Sequence, residues 1–148
     1  MSLITPHGGK LVNRVLTGSA ADSAKTQAAS LPSLTLSPRE QFDLEMISQG
    51  AFSPLNGFMG AADFDSVCKN MRLANGTVWP IPVVLCPSPD AAAKISPGNK
   101  VALKDAQGRL LGILHDDLRQ YQPGQIFARS RVLHLQFMSF ADHPGNLI

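Results

Sequence analysis

SPREQFDLEMISQGAFSPLNGFMG, residues 37–60, writes both ends of one helix and then a corner of unusual composition. Ser37 stands where an N-cap belongs, and Pro38 fits the first helical position, where its missing N–H is not needed. Glu40 is three residues on, placed to reach back to the Ser37 N–H as a capping box. Phe42, Met46 and Ile47 then recur at helical spacing and Leu44 widens the apolar stripe. Gly50 falls where a left-handed residue ends a helix. Residues 50–60 carry no charge, so they have nothing to hold an anion beyond backbone N–H groups. Ser53-Pro54 and Asn56-Gly57 read as successive turns. Phe52, Leu55, Phe58 and Met59 read as apolar pegs that seat the corner on a core or a neighbouring domain. The stretch is a connector before it is a ligand cradle.

Downstream, Phe64, Val67, Cys68 and Met71 fall at i, i+3, i+4 and i+7, which predicts a second amphipathic helix with Cys68 turned into the core. Asp63 and Asp65 occupy its first turn, where the helix dipole favours acids. Asn75-Gly76 is a tight-turn signal. TVWPIPVVLC follows, with Trp79, Ile81, Val83 and Leu85 alternating onto one buried face of a strand. Pro80 and Pro82 remove two N–H groups along one edge, so this strand belongs at a sheet edge or beside a loop. PSPDAAAKISPGNK is a proline-rich connection ending in a turn at SPG. KVALKD, AQGR and LLGILH make strand, turn and strand of a hairpin. In the last third, residues 121–124 form a break, and IFARSRVLHLQFMSF suits strand or helix, strand being favoured over residues 132–137.

Upstream, PHGG at residues 6–9 is a turn and LVNRVL at residues 11–16 suits a short strand. GSAADSAKTQAASLPS, residues 18–33, allows either a weak helix over residues 20–29 or a mobile surface segment. Helices in the first half and strands in the second predict an α+β domain with a small, mainly antiparallel β-barrel or sheet and two or three short helices.

The 148 residues suffice for one domain with one core, and no repeat or linker divides them. Hydrophobic residues at 44% exclude general disorder, while only 16% charged residues leave apolar surface for a partner. No apolar run is long enough to span a bilayer and the N-terminus lacks a signal-peptide pattern, which predicts a cytoplasmic protein and no membrane contact. Cys68 and Cys86 form no CxxC pair and read as buried free thiols. The net charge of +2 is too mild to indicate nucleic acid by itself.

There is no GxxxxGK[ST] phosphate loop, no GxGxxG dinucleotide fingerprint and no GxSxG elbow. HGGK and PGNK lack the spacing and read as surface turns. His7, His115, His134 and His143 are scattered singly, without metal-site spacing. Asp116 and Asp117 are adjacent on a strand end and point to opposite faces, so they make no acid–base pair. Arg14 and Arg39 have the charge to meet an anion, although a pair with an acid such as Asp43 is the commoner fate. No catalytic, cofactor-binding or metal-ligating residue is assigned, and no cofactor is expected.

Four segments, LITPHGGKLVNRVL, LSPREQFDLEMISQGAFSPLNGFMG, DFDSVCKNMRLANGTVWPIPVVL and KVALKDAQGRLLGIL, together resemble the N-terminal domain of the ATP sulfurylase (sulfate adenylyltransferase) family. They cover most of residues 3–114, whereas the tail IFARSRVLHLQFMSFA departs from the usual pattern. The resemblance implies a PUA-like domain occupying residues 1–148, a small β-barrel with helices. It also implies that catalysis sits in a following domain, with QxRNP, HxxH-type and glycine-arginine-aspartate motifs. There a sulfate oxygen attacks the α-phosphorus of ATP and releases pyrophosphate. None of those motifs occurs in these residues, so the resemblance implies a non-catalytic, excised or truncated piece, whose partners are a sulfurylase catalytic domain or another copy of itself. The alternative is a stand-alone PUA-like module that binds RNA through Arg109, Arg119, Arg129 and Arg131, with His115 and His134 nearby.

Overall fold

The structure is a computed structural model; it describes residues 3–95, 99–115, 118–122, 125–128 and 131–135, the last three groups by backbone only. A 3-10 turn at His7–Gly9 leads to β1 (Val15–Leu16), α1 (Gly18–Ala28), β2 (Ser33–Thr35), α2 (Pro38–Gln49), α3 (Ala61–Asn70) and the short α4 (Pro89–Ala92). Five further strands follow among the described residues: β3 (Val101–Lys104), β4 (Leu110–His115), β5 (Leu118–Gln122), β6 (Gln125–Ala128) and β7 (Arg131–Leu135).

Five strands form one sheet in the order β1-β7-β4-β3-β2, and β5 with β6 forms a separate two-stranded ribbon. The centre is antiparallel, β4 pairing with both β3 and β7, but both edges are parallel: β2 on β3 and β1 on β7. Of the expected barrel or sheet, the structure has the sheet: it is open, not closed into a barrel, and its antiparallel centre is flanked by parallel edges. The difference arises because β1 and β2 pair with strands far along the chain, a choice that local alternation does not encode. The β3–β4 hairpin stands as expected. Its turn is held by buried Asp105, whose carboxylate accepts from the backbone N–H groups of Gln107 (3.0 Å) and Arg109 (2.8 Å) and from Arg109 Nε (2.9 Å).

The described residues form four α-helices, where two or three were expected. α1 is a real helix: Ala21, Ala24 and Ala28 recur on one face and pack on Ala102 and Ile113 of the sheet. Their small side chains let the helix lie close to the strands. Ser88, with Pro89 after it, starts α4 by accepting from the Ala91 N–H at 3.3 Å. The capping box of α2 is complete: Ser37 Oγ accepts from Glu40 N at 3.4 Å, and the Ser37 N–H donates to Glu40 Oε2 at 2.8 Å.

Of the expected stripe on α2, Leu44 and Ile47 are buried, together with Ser48, whereas Phe42 is exposed. Leu44 and Ile47 join the main core with Leu55, Phe58, Met59, Val67, Val83 and Leu85. Each such side chain contributes about 1.5–3 kcal/mol by leaving water. LVNRVL contributes only Val15–Leu16 to the sheet. Tyr121 and Gln122 belong to β5 rather than to a break. The SPG turn at residues 96–98, Asp116, Asp117 and His143 lie outside the described residues.

Candidate functional site

Residues 50–60 cross between α2 and α3, and hydrogen bonds from the N-terminal segment and an aromatic contact with Trp79 meet at this corner. Gly50 caps α2 with φ 86° and ψ 5°, and its N–H donates to the Ile47 carbonyl. Ser53, buried and preceding a cis Pro54, donates from Oγ to the Gly50 carbonyl at 2.6 Å and accepts from the Val12 N–H at 3.0 Å. Leu55, Phe58 and Met59 sink into the core as the sequence predicts, and the Met59 N–H donates to the Val83 carbonyl at 2.8 Å. Phe52 meets Trp79 edge to face, with ring centroids 5.6 Å apart.

The N-terminal segment is laced over this corner. The Arg14 N–H donates to the Ser48 carbonyl at 2.7 Å, and Arg14 Nη2 donates to Asn56 Oδ1 at 2.6 Å. His7 Nε2–H donates to the Val78 carbonyl at 2.7 Å while its ring lies 6.2 Å from that of Trp79. His7 and Arg14 thus act as fasteners here.

Residues 77–86 are not a strand. The Trp79 N–H donates to the Met71 carbonyl and a single bridge joins Arg72 to Val78, after which no ladder forms. Pro80 and Pro82 supply no N–H, so the segment gains its hold from the corner and from Glu40. Trp79, Val83 and Leu85 are buried, but Ile81 is exposed.

Glu40 is the most heavily used acid near the surface. Its Oε2 accepts from the Ser37 N–H and Oγ, and its Oε1 accepts from the Cys86 N–H at 2.8 Å. Arg39 Nε lies 3.8 Å from Asp43 Oδ2, the pair that the sequence favours. Burial pushes the Asp43 carboxyl above its ordinary range against the pull of Arg39. Burial, reinforced by Glu40, likewise raises the Cys86 thiol.

Cys68 and Cys86 are free but exposed, contrary to the expectation of buried thiols. On α3 only Val67 is fully buried, and Phe64 packs partly against the core. The helix ends within a residue of Cys68's next turn, so Cys68 and Met71 sit at its outer end. Among the described residues no three His, Cys, Asp or Glu side chains gather to hold a metal ion. No helix among them is long and apolar enough to cross a membrane.

The surface feature that periodicity misses is apolar. Met71, Val78 and Ile81 are 63%, 50% and 51% exposed, on either side of the Asn75-Gly76 turn. Spacing assigns Met71 and Ile81 to the core; the only sign against it is the loss of regular backbone at the helix end and at the prolines.

The comparisons agree with this architecture. A PUA-like domain model matches residues 4–146, continuing through the tail. The chain is 50% identical over 111 residues to a sulfate adenylyltransferase of Synechococcus sp. (strain JA-3-3Ab), covering 75% of this chain and 28% of the relative. It is 46% identical over 142 residues to the sulfate adenylyltransferase of Synechococcus elongatus, covering 96% of this chain and 35% of that protein. Among solved structures, a hexameric APS kinase from Thiobacillus denitrificans aligns with TM-score 0.78 and 37% identity, over 90% of this chain and 27% of that one. The chain thus spans about a third or less of each of these relatives. With the family model matched over nearly its full length, the chain belongs to the PUA-like domain family.

Proposed function

We propose that this chain is the non-catalytic N-terminal domain of a sulfate adenylyltransferase, a single PUA-like unit that supports adenylyl transfer carried out by other residues. The observation that carries the reading is the combination of 46% identity across 96% of the chain with coverage of only 35% of the relative. The polar groups described above support it. Arg14, His7, Glu40 and Asp105 are each engaged in holding segments together, which is the work of a scaffold. In this reading ATP, sulfate and the α-phosphorus displacement belong to the longer protein, and the domain's partners are its catalytic portion or further copies.

A segment exchange tests it. The part of the Synechococcus elongatus enzyme aligned to this chain is replaced by this chain, and sulfate-dependent pyrophosphate release from ATP is measured. The proposal expects an active chimera; a chimera that is folded but inactive refutes it. The RNA-binding reading gains no support: Arg109 is committed to Asp105 at 2.9 Å, Arg129 lies outside the described residues, and Arg119 and Arg131 are described by backbone only.

A further inference from the structure

Seven large apolar side chains among the described residues are exposed, and three of them, Met71, Val78 and Ile81, fall within eleven consecutive residues. Met71 and Val78 flank the Asn75-Gly76 turn, tied across it by the Arg72–Val78 bridge and the 2.9 Å bond from the Trp79 N–H to the Met71 carbonyl, and Ile81 follows two residues after Trp79. Leu3 and Ile4, 97% and 95% exposed, precede His7, whose ring nitrogen is bonded to the Val78 carbonyl. Three residues of extended chain span about 10 Å, so Ile4 is held within that reach of His7. The only charged side chain from Met71 to Ile81, Arg72, donates back to the Gly76 carbonyl at 3.1 Å and closes the turn.

Met71 adds an independent observation. It is the only non-glycine residue among those described with positive φ, at 51°, and it occupies the left-handed C-cap of α3. Glycine or asparagine fits that backbone without the steric cost a methionine incurs. Its side chain is 63% exposed, so core packing does not repay the strain. Strain retained at an exposed apolar residue indicates a side chain used in contact with something else.

We propose that this surface, centred on Met71, Val78 and Ile81, is the face against which the catalytic portion of a sulfate adenylyltransferase packs. The inference rests on the function proposed above and names the surface through which it operates. The occupant follows from the comparison of lengths: the matched relatives place roughly two thirds of their residues outside the part aligned here. An apolar cluster whose single charged side chain, Arg72, is turned back onto the Gly76 carbonyl suits a permanent intramolecular contact.

The test follows thermal unfolding of the isolated chain and of the Synechococcus elongatus chimera, each with and without Val78→Lys plus Ile81→Lys. Both sites are exposed, so the isolated chain should keep its midpoint within about 2 °C. In the chimera the domain should unfold several degrees higher than when isolated, and the two lysines should abolish that difference. A chimera whose unfolding is unmoved by the lysines overturns the proposal. So does an isolated chain that sediments as a dimer dispersed by the same lysines, because the occupant is then a second copy. An inactive chimera whose domain melts as it does alone refutes the proposed function itself, a failure visible before any lysine is introduced. Met71→Gly provides a second readout: the isolated chain should gain roughly 2–4 °C from relief of strain, whereas the domain in the chimera should lose stability. A loss in the isolated chain as well would remove the argument from strain.

Discussion

Replacing Gly50 with alanine probes the junction on which the corner depends. At φ 86°, the new Cβ would stand 2.7 Å from Leu11 Cδ1 and 2.9 Å from the Val12 carbonyl oxygen. The left-handed conformation costs an alanine about 1–2 kcal/mol. The leucine methyl can rotate away, but the Val12 oxygen is backbone, fixed by the bonds of Val12 to Ser53 and of Arg14 to Ser48. Crowding against such a wall adds about 1–3 kcal/mol. The stiffer unfolded chain returns about 0.4–1 kcal/mol. The net expectation is a loss of about 1–4.6 kcal/mol, centred near 3, read as the shift of the urea midpoint multiplied by m. Gly108→Ala is the control: φ is 81° there, but nothing lies within 4 Å of the added carbon. It should show only the conformational part, about 1 kcal/mol. If Gly50→Ala costs no more than Gly108→Ala, the corner is not clamped by the N-terminal segment and the packing argument fails.

Glu40→Ala should remove the acceptors for the Ser37 and Cys86 N–H groups together and cost about 1–3 kcal/mol by urea unfolding, against about 1 kcal/mol for Ser37→Ala; equal losses would show that the Cys86 bond contributes nothing. Burial raises Asp43 above its unfolded value, so its protonated form suits the fold, and this favourable contribution is present below the unfolded carboxyl range and lost as pH rises through the folded pKa. Asp43→Asn should therefore stabilise the chain near pH 7, with the gain shrinking toward pH 3; a pH-independent effect contradicts the assignment. With Cys68 changed to serine, Cys86 should alkylate with iodoacetamide at pH 8 more slowly than N-acetylcysteine, since burial and Glu40 hold its thiol protonated; a faster reaction would refute that environment.

The elements legible in the sequence are those whose instructions are local. Ser37, Pro38, Glu40 and Gly50 each act within one turn of α2, and Asp105 with Gly108 closes a hairpin over a few residues. The corner was legible too, because turn residues and apolar pegs alternate within it. What escaped depends on distant partners. Residues 77–86 alternate like a strand, but the 50–60 corner and Glu40 take up their backbone. The parallel edges arise from pairings such as Val15 with His134 and Leu34 with Leu103, far apart in the chain. On α2 the stripe was read correctly at Leu44 and Ile47, while Phe42, at its margin, is left exposed. The apolar surface at Met71, Val78 and Ile81 was hidden for the same reason: spacing records that residues are apolar, while only the backbone route shows which of them face outward.

Sulfate-dependent pyrophosphate release by the purified 148-residue protein, given ATP and sulfate beside the full-length Synechococcus elongatus enzyme, tests the non-catalytic assignment most directly. The account predicts release no greater than the protein-free blank. Release that grows with the amount of chain and stops when sulfate is withheld would contradict it.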